Sequence, residues 1–437
     1  MQDGEALKKT LGPFMLWGLG TGYVISGEYF GWNLGLPKGG AGGMLCALFL
    51  VGVMYVGIAL AYAELACRFP HAGGAFVYAR AAFGPKLAAV SGLAQSIEFV
   101  FAPPAIALAI GAYVAQRYPG LAPSLPAAFA YVLFTLLNTW GVKQAALFEL
   151  LVTLLAVAEL LLFCGLTLPQ VDATLLVLDP FPEGATGVLT CLPFAIWFFL
   201  GIEGLANAAE EARNPSRDLP RAFLASLATL LVLAVLVFFG AVGVAGPRGV
   251  VFAPGSDTPS DAPLPLALAH VVPANSWLFS LLLGIGVLGL VASFHGILLA
   301  AGRATMELGR AGHGPRILGS VHRASGTPRV ALLANMAVGI ATLFTGKTDD
   351  VISLAVMGAL LAYIFSLAAL LQVRRKDAAP TGLFRAPLHP WLTLLALALA
   401  GLCLLAVGGL YPRVGLAFVG ILALGLAAPR RPVPATA

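Results

Sequence analysis

The sequence predicts an all-α integral membrane protein of twelve transmembrane helices, arranged as two inverted five-helix repeats followed by two additional helices. Three observations carry this expectation. The chain is 59% hydrophobic and only 10% charged, with a mean hydropathy of +0.92, whereas soluble domains carry about 25% charged residues. Long apolar segments alternate with short loops that hold the charges. A polar interruption, Ser26-Gly27-Glu28, stands in the middle of the first segment, and a second, Gly201-Ile202-Glu203-Gly204, stands in the sixth.

A helix crosses ~30 Å of hydrocarbon with ~20 apolar residues. On that measure the spans fall at 11–36, 41–66, 87–116, 124–141, 144–168, 187–209, 221–246, 273–302, 329–345, 350–371, 390–410 and 412–428. The whole chain, 1–437, reads as one transmembrane domain: a first repeat over 11–168, an inverted second repeat over 187–371, and two extra helices over 390–428. The first segment is too long for a secretory signal and lacks a small-residue cleavage site, so it reads as a span. Phe76 to Phe83 reads as a short interfacial helix. The outer loop from Gly246 to Pro273, rich in proline and aspartate, is expected to have little regular structure. Cys46, Cys67, Cys164, Cys191 and Cys403 show no metal or redox spacing and read as small packing residues.

Lysine and arginine give the orientation. With a cytoplasmic N-terminus, the inner segments hold Lys8, Lys9, Arg68, Arg80, Lys86, Lys143, Arg213, Arg217, Arg221, Arg303, Arg310, Arg316, Arg323, Arg329, Arg374, Arg375, Lys376, Arg385, Arg430 and Arg431. The outer segments hold Lys38, Arg117, Arg248, Lys347 and Arg413. These are all 25 basic residues, so no lysine or arginine is expected in the interior of a span; Arg221 and Arg329 stand at the first residues of theirs. The segregation by loop places both termini in the cytoplasm of a cell whose inner membrane the chain crosses. It leaves no basic patch for nucleic acid.

Spans one to five and six to ten each begin with an interrupted helix, and an odd number of spans per repeat inverts the second copy. Paired interruptions point to a transporter's binding site, where broken backbone lines a cavity instead of facing lipid. The carboxylates at depth are Glu28, Glu98, Glu159 and Glu203, with Glu64 and Glu149 near cytoplasmic ends. A buried ionisable residue is a functional candidate; bonding to backbone donors or a neighbouring hydroxyl is the structural alternative, and both readings stay open for Glu98 and Glu159. Freed N–H groups at a half-helix favour anions and freed carbonyls favour cations. Glu28 directly after Ser26-Gly27 would repel a substrate carboxylate unless protonated, and would attract an amine, provided it faces inward. Among the flanking aromatics, Tyr29, Trp197 and Phe199 lie close enough to gate the site or to hold an ammonium over a ring face; packing is the alternative.

The third span carries Gln95-Ser96-Ile97-Glu98 before Pro103-Pro104, which should free carbonyls and kink the helix. The eighth carries Ser293-Phe294-His295, where His295 can relay protons or make a structural hydrogen bond. Sodium needs a cage of oxygens, to which Ser293 is a weak match. Buried glutamates suit protons better, so proton coupling or exchange is expected over sodium.

These residues carry a resemblance. The run Gly201-Ile202-Glu203, then Glu210-Glu211-Ala212-Arg213-Asn214-Pro215, Arg217 and Pro220-Arg221-Ala222 resembles the sixth span and cytoplasmic exit of the amino acid–polyamine–organocation transporters, and the likeness covers nearly the whole chain. The resemblance implies the leucine-transporter-like fold of two inverted five-helix repeats, with substrate at the breaks in helices one and six. Gly22-Tyr23-Val24-Ile25-Ser26-Gly27-Glu28, with Gly31-Trp32-Asn33, Gly35-Leu36-Pro37 and Glu98-Phe99-Val100-Phe101-Ala102-Pro103, is most similar to ethanolamine permeases. The family's usual Gly-Ser-Gly followed by an apolar residue is here Ile25-Ser26-Gly27-Glu28, which puts recognition of an α-carboxylate in doubt. Resemblance also implies that Glu203 links the second break to gating and proton sensitivity, and that Trp197 contacts substrate or gate.

The expected activity is alternating-access transport of a small amine, ethanolamine above all. The candidate substrate residues are Ile25, Ser26, Gly27, Glu28, Tyr29, Gln95, Glu98, Trp197, Phe199, Gly201, Glu203 and Ser293. Glu203, Glu28, Glu159 and His295 are the candidates for coupling or gating. A general amino-acid permease or antiporter on the same fold is the alternative. An enzyme is not expected, because the six histidines form no metal or nucleophile cluster; a sensor would need an appended signalling domain, and a pump a phosphate-binding loop. No metal or cofactor is called for. The partners are the substrate, the lipid bilayer and protons, and a homodimer is compatible with the sequence.

Overall fold

A computed structural model describes residues 11–71, 73–140, 145–322, 325–345, 347–376 and 382–427. Lys8, Lys9, Lys143, Arg323, Arg430 and Arg431 of the charge pattern lie outside them, as do the outermost residues of the spans ending at 141 and 428 and the first of the span beginning at 144.

The first apolar segment forms α1 (Pro13–Val24) and α2 (Ser26–Tyr29), then a 3-10 turn at Trp32–Gly35. There follow α3 (Leu36–Arg68), α4 (Gly74–Phe83), α5 (Pro85–Arg117), α6 (Ser124–Trp140), α7 (Ala145–Thr167) and the short α8 (Ala173–Val177). The second half opens with α9 (Gly184–Trp197) and the 3-10 helix Ile202–Glu211. It continues through α10 (Pro215–Gly249), α11 (Pro263–Leu268), α12 (Trp277–Arg310), α13 (Arg329–Leu343), α14 (Thr348–Lys376), α15 (Trp391–Leu410) and α16 (Pro412–Ala427). Pro13, Pro85, Pro215 and Pro412 open their helices, where a missing amide costs nothing.

Among the described residues eight helical segments are long and apolar enough to cross a bilayer, the 3-10 stretch counted with α9, and α6, α13 and α16 are shorter apolar helices. No strand forms among them; the only β contacts are isolated bridges. The chain is a multi-pass membrane protein. Large apolar side chains exposed on α6, α7, α15 and α16, such as Phe129, Leu151, Leu405 and Leu416, have no water-soluble rationale and face the acyl chains.

The loops sort into two groups. Leu11 pairs with the exit of the second interrupted helix, its N–H donating to Glu211 O at 3.0 Å and its carbonyl accepting from Arg213 N at 2.9 Å. Nearby in the fold, Glu64 accepts from Arg68, from Arg374 and from the Ala386 amide. In the other group, Asn33 Nδ2 donates to Val250 O and Ser260 O, and Thr348 Oγ1 donates to Asp261 Oδ2 at 2.8 Å. Every segment in the first group was assigned to one side by its basic residues, and every segment in the second to the other.

α5 runs on through Pro103 and Pro104, and α10 and α12 extend beyond the apolar spans to carry Arg217 and Arg303. The structure corrects two expectations. The loop after α10 is built, with helix α11 buried within it and Asn33 and Thr348 tying it down. The full backbone break of the first helix comes after Ser26-Gly27-Glu28: Ile25 stays right-handed (φ −57°), and the chain turns at Phe30, extended, and Gly31, φ +93°.

Candidate functional site

The two interruptions touch. A Cβ on Gly27 would stand 2.4 Å from Trp197 O and 2.8 Å from Phe198 Cα, so only glycine lets the two backbones meet. Gly31 presses the same indole: a Cβ there would lie 2.5 Å from Trp197 Cδ1. Opposite, α9 ends at Trp197, Gly201 turns in the left-handed region (φ +100°), and the 3-10 helix begins. That conformation suits glycine, which has no Cβ to clash.

α12 clamps the first interruption. Ser293 Oγ donates its one proton to Tyr23 O at 2.6 Å, so Ser26 Oγ must donate to Ser293 Oγ across their 2.8 Å contact. Tyr29 leaves on another face. Its hydroxyl donates to Glu159 Oε2 at 2.7 Å, its carbonyl accepts from Tyr113 at 2.9 Å, and its ring lies over Gly289. Glu159 is thereby joined to α2. Glu28 is fully buried, with Tyr29 and Cys164 as charge-sensitive neighbours, and neither carboxyl oxygen has a hydrogen-bond partner. A lone buried charge is strongly unfavourable, so this carboxyl calls for a proton or a cation.

The second interruption carries a denser network. Tyr363 donates to Glu203 Oε2 at 2.6 Å, and Tyr55 O–H lies 3.3 Å from Tyr363 O and 3.5 Å from Ile196 O, one residue before the helix ends. Phe199 packs on Tyr55 with ring centroids 5.2 Å apart. Glu98 of α5 faces Glu203 closely enough to interact, although neither of its own oxygens completes a hydrogen bond. Trp197 Nε1 is a buried donor without a partner.

Two candidates lie apart. Gln95 lines a small recess with Gly73, Phe76, Asn207, Glu307 and Leu308, apart from the Ser26–Ser293 pair. His295 turns towards α6, its ring 6.2 Å from Phe134. Sequence reasoning missed Glu149, placed there near a helix end. It is buried against Gly22 and Gly296 with Oε1 unpartnered; its spacing from Thr153, one turn on, was the available signal. Tyr55 and Tyr363 were missed as well. Among the described residues no three His, Cys, Asp or Glu gather as metal ligands.

Comparison with known proteins matches the sequence to one family. The amino acid permease family model covers residues 11–422. The chain belongs to the amino acid permease family. An uncharacterised transporter of Rhizobium meliloti is 29% identical, over 93% of this chain and 88% of its own. The methylthioribose transporter of Bacillus subtilis is 27% identical over 96% and 92%, and the same organism's branched-chain amino acid permease is 26% identical over 92% and 89%. None of these three is described as an ethanolamine permease. In this permease, then, the touching interruptions and their carboxyls belong to a membrane transporter, and the family and its relatives point away from an enzyme.

Proposed function

We propose that this permease is a secondary active transporter of a small amine, ethanolamine being the best candidate, working by alternating access and coupled to protons or to exchange. The observation that carries the reading is Glu28: a buried carboxyl beside the contact of the two interrupted helices, with no partner on either oxygen. A substrate ammonium supplies the missing charge, and a rearrangement of α2 brings the two together. An α-carboxylate would meet repulsion from the ionised form of the same group. Trp197 Nε1, also unpartnered, offers a donor to a substrate hydroxyl, with Ser26 and Ser293 close to the first break and Phe199 and Gly201 at the second. Ile25, Gly27 and Tyr29 shape the first half of the site; Glu159, His295 and Gln95 lie outside the contact and serve coupling or access.

In this reading twelve spans cross the cytoplasmic membrane of a bacterium with both termini inside, as two inverted repeats over 11–168 and 187–371 and two further helices over 390–428. Protons are favoured over sodium because both interruptions carry buried carboxyls, Glu28 and Glu203.

The test is uptake of labelled ethanolamine into proteoliposomes under an imposed pH gradient without sodium, with alanine, arginine and choline as competitors. Gradient-dependent uptake that ethanolamine blocks and alanine does not supports the amine reading. Transport of alanine or a branched-chain amino acid in its place would establish the general amino-acid permease, which the family and the branched-chain relative favour.

A further inference from the structure

We propose that a cleft between α3, α8 and α10 binds one phospholipid with a zwitterionic ethanolamine headgroup, its phosphate on Arg248 and its ammonium on Asp179. The inference goes beyond the transport reading and does not depend on which cargo is carried. The cleft has a volume of about 480 Å³ and lies between the start of α3, the segment through and after α8, and the end of α10. α3 and α10 belong to the long apolar helices that can cross a bilayer. The cleft sits where one begins and the other ends, the level at which headgroups meet acyl chains.

Backbone bonds fix its walls. Asp172 N–H donates to Gly243 O at 2.8 Å, Gly43 N–H to Pro180 O at 3.1 Å and Glu183 N–H to Lys38 O at 3.2 Å. The segment 172–183 is thereby tied to α10 at one end and to α3 at the other. Gly40 turns at φ +65°, and a Cβ there would stand 2.7 Å from Asp179 O, so the segment rests directly on the α3 backbone. Gly246 turns at φ +72°, which kinks α10 just before Arg248.

Two features select the ligand. Most of the lining is apolar, with Leu36, Leu175, Leu178 and Phe252 among the walls. Val177, Leu178 and Phe181 are exposed beside it. An acyl chain fills such a cleft, whereas a small amine or a free phosphate leaves most of it empty. The second feature is charge. Asp179 and Arg248 line the same cleft without pairing. Among the described residues neither forms an ion pair, and the Arg248 guanidinium lies 5.5 Å from the Phe252 ring centroid. An acidic and a basic side chain held apart match a headgroup that carries both signs. A guanidinium forks onto a phosphate, and a primary ammonium offers three N–H donors to a carboxylate. A trimethylammonium has no such donors, and a glycerol headgroup has no cation to set against Asp179. The bound lipid lies against Leu36 and Pro37, directly after the 3-10 turn that follows the first break, and so braces that interruption from the bilayer side.

The test reconstitutes the full chain in phosphatidylcholine vesicles with a trace of phosphatidylethanolamine carrying a diazirine in one acyl chain. Illumination and peptide mass spectrometry locate the adducts. They are expected on 172–183 and 245–252, and they should be displaced by added unlabelled phosphatidylethanolamine but not by phosphatidylglycerol. Arg248→Gln should lower them about tenfold, the size of losing one charge-assisted contact, while adducts on α15 and α16 stay unchanged. Asp179→Asn keeps a residue type that tolerates the left-handed φ of +46° found there; in that variant phosphatidylglycerol should compete as well as phosphatidylethanolamine. Labelling spread evenly over all apolar faces, or cleft labelling that Arg248→Gln leaves intact, overturns the site. Equal competition by phosphatidylglycerol in wild type overturns the selection for a zwitterion. Soluble glycerophosphoethanolamine competing as strongly as the intact lipid would make the cleft a site for a soluble ligand and overturn the proposal.

Discussion

In the first interrupted helix the glutamate comes before the backbone break; in the second it comes after. Glu28 sits in α2, two residues ahead of Phe30 and three ahead of Gly31, so its amide is already bonded, to Ile25 O at 3.1 Å. Glu203 lies two residues beyond Gly201, in a 3-10 helix. The partners differ in the same sense. Glu203 receives the Tyr363 hydroxyl, while both Glu28 oxygens are orphaned. A partnered carboxyl already has part of its lost hydration replaced, whereas an orphaned one awaits a ligand. On the proposed reading the contrast puts cargo at the first interruption and coupling at the second, and substitutions can separate the two.

The largest effect should come from closing the gap between them. Gly27→Val puts branched atoms where even a Cβ would be 2.4 Å from Trp197 O. Backbone has to move, at about 1–3 kcal/mol or more. Uptake should fall by about a hundredfold with a lowered melting temperature. Near-normal uptake by this variant would show that the two interruptions part during transport without ever needing this contact.

Next comes Glu28→Gln. Replacing the carboxylate by an amide removes the attraction for an ammonium, a loss of about 1–3 kcal/mol for a charged hydrogen bond, read as roughly a ten- to hundredfold rise in the concentration of amine needed to compete in uptake. Equal competition in variant and wild type would remove Glu28 from the cargo site and erase the asymmetry between the two breaks.

Much of this was legible in the chain. Apolar runs and basic loops are dictated by the bilayer, so most of the long helices could be located from the sequence, and Glu28, Glu98, Glu159 and Glu203 stood out because carboxylates are rare in apolar sequence. The precise break was not legible. Gly27 and Gly31 are both candidates by composition, and only tertiary contact decides that Gly27 is a crossing point and Gly31 the turn. The tyrosine network was hidden because Tyr55 and Tyr363 look like ordinary aromatics until α3 and α14 bring their hydroxyls within 3.3 Å. Glu149 was hidden by a count from the helix end, since α7 begins close to it yet packs its first turns against α1.

A smaller effect should follow from Tyr29→Phe, which removes the donor to Glu159 and leaves Glu159 Oε2 without it. Leaving a buried acceptor unsatisfied costs about 1–3 kcal/mol, so stability should drop by that order in thermal unfolding. If Glu159 serves coupling, the pH profile of uptake shifts in the same variant; a stability loss with an unchanged profile would make Glu159 a brace for α2 and leave coupling to the second interruption alone.

The smallest effect concerns the strap over the first break. Asn33, two residues past Gly31, holds Val250 and Ser260, and Asp261 accepts from Thr348 at 2.8 Å. Burial pushes the Asp261 carboxyl up to about 6, the Thr348 hydroxyl offsets part of that, and Asp349 adds to the rise. With the strap open the same carboxyl returns to about 4. The closed form therefore binds the proton more tightly, its advantage is full below about pH 4, and it is lost as pH climbs through about 6. Hydrogen exchange across 250–262, corrected for intrinsic rates, should be more protected at pH 5 than at pH 7.5, and Asp261→Asn should flatten the difference. A pH dependence that persists unchanged in Asp261→Asn would remove the strap carboxyl from the response.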